Sequence, residues 1–168
     1  MWEAILDKFR DKPGQMKVAT FLLRYGFSVD RNGTIRCVNV EIPHSKVSKA
    51  LEVDRRVVVE TAKTISSDPE LLKVYSKIEP AGMSLRNIAK EMGMGLIIIT
   101  ADPTQVGIVA GATSIISKLG ISIRQIIADD PELHPEPKLT IITDKHLPGE
   151  VIDEILRIKG VRDVSIIS

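Results

Sequence analysis

The sequence predicts an α+β chain in two parts: a helical domain with a small β-hairpin over residues 1–79, and a βαββαβ domain over residues 95–168. Three observations predict it. In the first half apolar residues recur at i, i+3, i+4 and i+7, interrupted by a period of two around Asn32-Gly33. In the second half short Ile- and Val-rich runs alternate with helix-period segments. Between them, Glu79-Pro80-Ala81-Gly82 has the composition of a boundary, and 80–94 reads as a linker carrying a short amphipathic helix.

The elements of the first half follow in order. Trp2, Ile5, Leu6 and Phe9 share one face of a short helix that Asp11-Lys12-Pro13-Gly14 ends. Val18, Phe21, Leu22 and Tyr25 mark a second helix, with Gly26 placed to close it in the left-handed conformation. Phe27, Val29 and Arg31 then lead into Asn32-Gly33, with Ile35 and Cys37 beyond, the pattern of a hairpin whose turn residues both tolerate positive φ. Val47, Ala50 and Leu51 form a short apolar face. Asp54 is a natural N-cap for a following helix that buries Val58, Thr61, Ala62 and Ile65, although Val57-Val58-Val59 also suits a strand. Ser67-Asp68-Pro69-Glu70 starts one more helix.

Residues 43–65 resemble a helix-turn-helix, in which a short helix braces a second one presented to the DNA major groove. Glu52 stands where such turns usually have Gly, so it must take the left-handed conformation at some strain. The resemblance implies DNA contacts from Arg55, Arg56 and Lys63, with Ser45 and Lys46 reaching the backbone. A solvated charged face is the plainer explanation for any one of these residues.

In the second half Leu96-Ile97-Ile98-Ile99 reads as a buried strand and Ala101–Gln105 as a loop. Val109, Ala112, Ile116 and Leu119 give a helix face stopped by Gly120. Ile121, Ile123, Gln125 and Ile127 alternate with Ser122, Arg124, Ile126 and Ala128 as a second strand, and Asp129–Pro137 is an acidic, proline-rich loop. Leu139, Ile141 and Thr143 form a third strand; Val151, Ile152, Ile155 and Leu156 a helix; Val161–Ile167 a last strand. This order is the ferredoxin-like motif, with both helices expected on one face of an antiparallel sheet.

Composition narrows the function classes. The net charge is +1, so bulk charge does not make the chain a polycation. The asymmetry is mild: residues 1–83 hold 14 basic and 11 acidic side chains, and the remainder 9 and 11. One cysteine, Cys37, excludes an internal disulfide and a multi-thiolate metal site and fits a reducing, cytoplasmic setting. The longest apolar segment, Val106–Ile116, is shorter than the ~20 residues a membrane span needs. Lys138–Thr143 has no aromatic on which a base could stack, which argues against an RNA-recognition module. His44, His134 and His146 are scattered, and no nucleophile set, phosphate loop or dinucleotide turn is present; no catalytic residue, metal site or cofactor is expected. Asp129, Asp130 and Glu132 read as a solvated acidic loop rather than a cation site.

Asp102-Pro103-Thr104-Gln105-Val106-Gly107-Ile108-Val109, followed by Lys118-Leu119-Gly120-Ile121-Ser122-Ile123, resembles the ACT domain over residues 95–168. That resemblance implies a small-molecule ligand, most often an amino acid, bound where two modules meet. Asp102, Val106, Gly107 and Ile108 would come from one chain and Arg124 or Gln125 from near its partner. Gly107, lacking a Cβ, would let a ligand carboxylate approach free helix-start amides.

The two halves together resemble archaeal predicted regulators of amino-acid metabolism. Glu41-Ile42-Pro43-His44, Val53–Val58, Gly120–Gln125 and Ala128–Leu133 carry the likeness. The expected function is an amino-acid-responsive regulator that binds DNA through its first domain. The alternative is a regulatory subunit or scaffold that binds a metabolic enzyme through that domain. An edge position for 121–128 and an apolar helix beside it predict a homodimer through the second domain.

Overall fold

The computed structural model describes residues 2–167 as a mixed helix-and-sheet protein in two compact units, one ending at Gly82 and the other beginning at Met83. The first contains α1 (Trp2–Leu6), a 3-10 turn (Asp7–Phe9), α2 (Pro13–Tyr25), β1 (Ser28–Val29), β2 (Ile35–Cys37), β3 (Val40–Glu41), α3 (His44–Leu51), α4 (Arg55–Ser67) and α5 (Pro69–Tyr75). The expected signals close these helices. Gly26 ends α2 at φ +67°, and Asp68 caps α5 by accepting the Glu70 and Leu71 N–H groups. The core is aliphatic around Phe9, Leu22, Ile35, Val58, Ile65 and Leu71. Each fully buried side chain of this size contributes about 1.5–3 kcal/mol. Tyr75 joins them, donating its hydroxyl proton to the Ala19 carbonyl at 3.2 Å; burial raises its pKa well above the usual range.

The hairpin turn differs from expectation. Asn32 keeps a negative φ, and Gly33 alone is left-handed, at +76°. Asp30 replaces the second positive φ: its Oδ1 accepts the Asn32 and Thr34 N–H groups, and its carbonyl accepts the Gly33 N–H at 3.0 Å. This is a longer turn with its Gly at the bulge position. A further strand, β3, pairs with β2 across a tight reversal at Val38-Asn39, completing a three-stranded antiparallel sheet in the order β1-β2-β3. Val38 takes φ +54° there, an uncommon conformation for a β-branched residue.

The second unit contains β4 (Gly95–Ala101), α6 (Ile108–Lys118), β5 (Ile123–Ala128), β6 (Lys138–Thr143), α7 (Glu150–Leu156) and β7 (Val161–Ile167). The sheet is antiparallel in the order β5-β6-β4-β7, so β5 and β7 are its edges. Ile97, Ile99, Leu139, Ile141 and Val164 meet Ile108, Ala112 and Ile116 of α6 and Val151 and Ile155 of α7, placing both helices on one face. On the other face Leu96, Ile98 and Ile142 are covered by Ala89, Leu85 and Met94. Burial on both faces explains why β4 reads as an unbroken apolar run.

Two local features depart from the sequence pattern. The segment 83–94 is a series of turns rather than a helix, with Met94 N–H donating to the Ala89 carbonyl at 2.8 Å. A register shift in β5 between Ile123 and Gln125 breaks the uninterrupted alternation. Ile123 packs with the helix-side core, whereas Gln125 pairs with Ile142 of the opposite face. No helix among the described residues is long and apolar enough to cross a membrane.

Candidate binding sites in the two units

In the first unit α3 and α4 are joined by a short turn. Glu52 ends α3 at φ +53°, ψ +45°, the left-handed geometry expected of it, and Val53 N–H closes the turn on the Ser48 carbonyl at 3.1 Å. Asp54 then caps α4, its Oδ1 accepting the Arg56 N–H at 2.7 Å. Val57–Val59 are helical, not a strand. α4 buries Val58, Thr61, Ala62 and Ile65; the Thr61 hydroxyl is satisfied by donating to the Val57 carbonyl at 2.7 Å. The opposite side presents Arg55, Arg56 and Lys63 to solvent, and Ser45 and Lys46 are exposed at the start of α3. None of the four cations forms an ion pair among the described residues. His44 Nε2, 3.0 Å from the Gly33 carbonyl, ties the hairpin turn to α3. Between them lies a polar hollow of about 270 Å³ that brings Ser45 and Arg55 together with Asn32, Glu41 and His44.

In the second unit a cleft of about 170 Å³ lies at one end of the sheet, between the loop after β4 and the β5–β6 connection. Ile99, Ile108, Val109 and Leu139 supply an apolar lining; Asp102, Gln105, Asp129 and Lys138 supply polar groups. The sheet register builds it. Thr100 pairs with Lys138 and Ala128 with Leu139, so the end of β4, the end of β5 and the start of β6 converge.

Asp102 is fixed by its own loop. Its Oδ1 accepts the Thr104 N–H at 2.9 Å and the Thr104 hydroxyl at 2.8 Å, and Oδ2 lies 3.9 Å from the Arg162 guanidinium. The Thr104 amide and hydroxyl, aided by Arg162, hold its carboxyl below the ordinary pKa. Asp129 Oδ2 accepts the Lys138 N–H at 3.2 Å, and Asp129 N–H donates to the Lys138 carbonyl at 3.0 Å. These bonds close the base of the β5–β6 connection.

Of the six expected ligand residues the structure brings only Asp102 and Ile108 into this cleft. Val106 is 85% exposed and is not part of the cleft lining. Gly107 begins α6 at φ +91°, and a Cβ there would meet nothing within 4 Å. The positive φ by itself accounts for a glycine. Arg124 sits at the β5 irregularity, four residues before the cleft-lining Ala128, or about 13 Å along a strand. Gln125 is already engaged: its Oε1 accepts the Leu85 N–H at 2.9 Å and its Nε2 donates to the Met83 carbonyl at 2.7 Å. Gln105, Asp129 and Lys138 were missed because they converge only through strand register. The signal was a lysine starting one strand and an aspartate just past the end of the strand it pairs with. Among the described residues no group of three potential metal ligands comes together.

No family model matches the chain, and no curated protein does. Among solved structures, an ACT domain from the GTP pyrophosphokinase of Chlorobium tepidum is 18% identical, covering 44% of this chain and 96% of that one, with a TM-score of 0.35. A transcriptional regulatory protein of the AsnC family from Pyrococcus furiosus is 14% identical, covering 75% of this chain and 77% of that one, with a TM-score of 0.27.

Proposed function

We propose that the chain is a regulator that responds to a small molecule, an amino acid, bound by its second unit, and that binds DNA through α3 and α4 of its first. The observation that carries this reading is the division of α4. One face is committed to the core through Val58, Ala62 and Ile65, while Arg55, Arg56 and Lys63 stand exposed without ionic partners. Arginine at the start of such a helix can donate two hydrogen bonds to guanine, and lysine along it can meet phosphate. Ser45 and Lys46, on the preceding helix, would fix the register by backbone contacts. The proposed activity is binding, with no catalytic step.

Regulation requires the ligand to bind DNA-competent and incompetent states with different affinity. The proposed assembly is a homodimer through the second unit. Its β5 edge is unpaired in the sheet, and Val109 of α6, Leu119 just beyond its end and Ile126 of β5 are exposed apolar side chains. Such a dimer would present two equivalent copies of α4 to symmetric half-sites.

Salt titration of binding to genomic fragments tests the DNA reading. The expected result is a sequence-preferring complex with a log–log slope of about −3 to −5, from release of counterions at a handful of phosphates. Arg55→Ala should relax sequence preference, and Lys63→Ala should weaken all sequences alike and flatten the slope by about one. No sequence preference at low salt, or no slope, overturns it.

A further inference from the structure

Glu41, at the end of β3, has no partner for its charge. Arg36, directly opposite it on β2, is turned to Asp30 instead, its Nε 3.3 Å from Oδ2. The Glu41 carboxylate lines the polar hollow of about 270 Å³ that also holds Arg55, the first residue of α4. Both residues are exposed, and their side chains form no ion pair with each other or with any described residue. The remaining polar groups of the hollow do not neutralise them. His44 Nε2 is committed to the Gly33 carbonyl at 3.0 Å, and Asn32, Thr34 and Ser45 carry no charge.

A carboxylate on a DNA-facing surface repels phosphate and so weakens binding to every sequence. Only a donor offsets that cost, and the donors in the major groove are the amino groups of cytosine and adenine. Arg55 beside it decides between them. Across the major groove a G·C pair presents guanine N7 and O6, two acceptors, and then the cytosine N4 amino group, a donor. Arginine spans the two acceptors with two N–H groups, and a carboxylate next to it meets the donor. The other three pairs put an acceptor in that third place: thymine O4 in A·T, guanine N7 in C·G and adenine N7 in T·A. A carboxylate there opposes every wrong pair as well as favouring the right one.

We propose that Arg55 and Glu41 together read one G·C base pair, Arg55 on the guanine and Glu41 on the cytosine amino group. This rests on the reading that α3 and α4 bind DNA. It adds a specificity-determining residue outside both helices and makes the strand before α3 part of the recognition surface.

The test is selection by the full chain from a randomised duplex library, then titration of the selected site and its single-pair substitutions at fixed salt. Arg55→Ala identifies the position, which alone should lose its preference. There the parent should favour G·C by about tenfold or more over A·T, T·A and C·G. Glu41→Gln preserves side-chain size at an exposed position and should leave circular dichroism and the thermal melt unchanged. It should cut that discrimination by about fivefold or more and spare the other positions. It should also strengthen binding to unrelated duplexes, since a charge that repels phosphate is gone. N4-methylcytosine at the position keeps one amino proton for guanine and blocks the other. It should weaken the parent by about fivefold or more and leave Glu41→Gln nearly unaffected.

Full preference for G·C in Glu41→Gln, or a parent indifferent to N4-methylcytosine, overturns the inference and leaves the DNA reading intact. So does a gain in affinity equal across all sequences, which would make Glu41 a repulsive charge alone. A pair other than G·C at the position Arg55→Ala relaxes, or no relaxed position, also overturns it. A parent chain with no sequence preference at low salt overturns the underlying reading as well.

Discussion

Gln125 accepts the backbone N–H of Leu85 at 2.9 Å, and the same amide donates to Met83 at 2.7 Å. One side chain on β5 therefore satisfies two backbone polar groups of an irregular segment, the Leu85 N–H and the Met83 carbonyl. Beside that anchor, Leu85, Ala89 and Met94 pack over Leu96, Ile98 and Ile142. The register shift before Gln125 places it on this side of the sheet, opposite Ile142.

Gln125→Glu should therefore destabilise the second unit by about 0.5–1.5 kcal/mol, because a carboxylate keeps the acceptor but sets an oxygen against the Met83 carbonyl. Chemical denaturation measures the loss, and hydrogen exchange should show faster opening at 85–94. An unchanged exchange rate there would show that the segment is held by apolar packing alone.

Glu52 and Val38 are the two non-glycine residues with positive φ among those described. Glu52→Gly should raise stability by about 0.5–1 kcal/mol. Relief of the left-handed strain exceeds the extra chain entropy that glycine brings to the unfolded state. Thermal melts of the variant check this. DNA affinity should not move, since Glu52 lies in the turn and α4 keeps its Asp54 cap.

Much of this was legible in the sequence because it is local. Asp54 and Asp68 cap the helices they precede, and Gly26 and Glu52 end theirs left-handed. The apolar run of β4 and the buried face of α4 needed only periodicity, whereas the face of α6 is rotated from the expected one: Ile108, Ala112 and Ile116 are buried, and Val109 and Leu119 are exposed. What failed depends on partners distant in the chain. Leu85, Ile88, Ala89 and Met92 have helical spacing, yet Leu85 and Ala89 are drawn onto the sheet and Ile88 and Met92 stay exposed. The shift at Arg124 and the meeting of Asp129 with Lys138 are properties of strand register, which hydrophobic alternation does not encode.

Lys8 joins the chain's start to the cap of α5, reaching Asp68 at 2.6 Å and Glu70 at 2.7 Å. The Lys8 ammonium and the Leu71 N–H lower the Asp68 pKa, and hydrogen bonding to Asp68 and Glu70 raises that of Lys8. The Asp68 contribution is therefore present above its unfolded pKa of 3.8 and lost as pH falls through the lower folded value. The Lys8 contribution is present below 10.5 and lost as pH rises through the higher folded value. Lys8→Met should narrow the difference in Tm between about pH 6 and pH 3, the acid limb of this linkage. An unchanged difference would assign the acid sensitivity to other carboxylates, such as Asp30, which burial pushes up but the Thr34 and Asn32 amides and Arg36 hold low.

The proposed dimer makes the last prediction. An unpaired strand edge invites pairing with another chain, and here β5 is also flanked by apolar side chains. The choice of probe matters. Ile115 and Ile123 pack against the helix-side core, so a charge at either would damage the fold itself. Leu119 and Ile126 are 42% and 40% exposed, and a lysine there can keep its ammonium in water within a monomer. In a dimer built on β5 and α6 the same lysines would be buried opposite their own symmetry copies, where like charges repel. Sedimentation of the parent chain at micromolar concentration should give a dimer, and the Leu119→Lys/Ile126→Lys double variant a folded monomer with unaltered circular dichroism. That monomer should bind DNA more weakly at symmetric sites than at single half-sites relative to the parent, because the linkage between two α4 helices is lost. A parent chain that sediments as a monomer, or a double variant that remains dimeric, would exclude β5 and α6 as the interface.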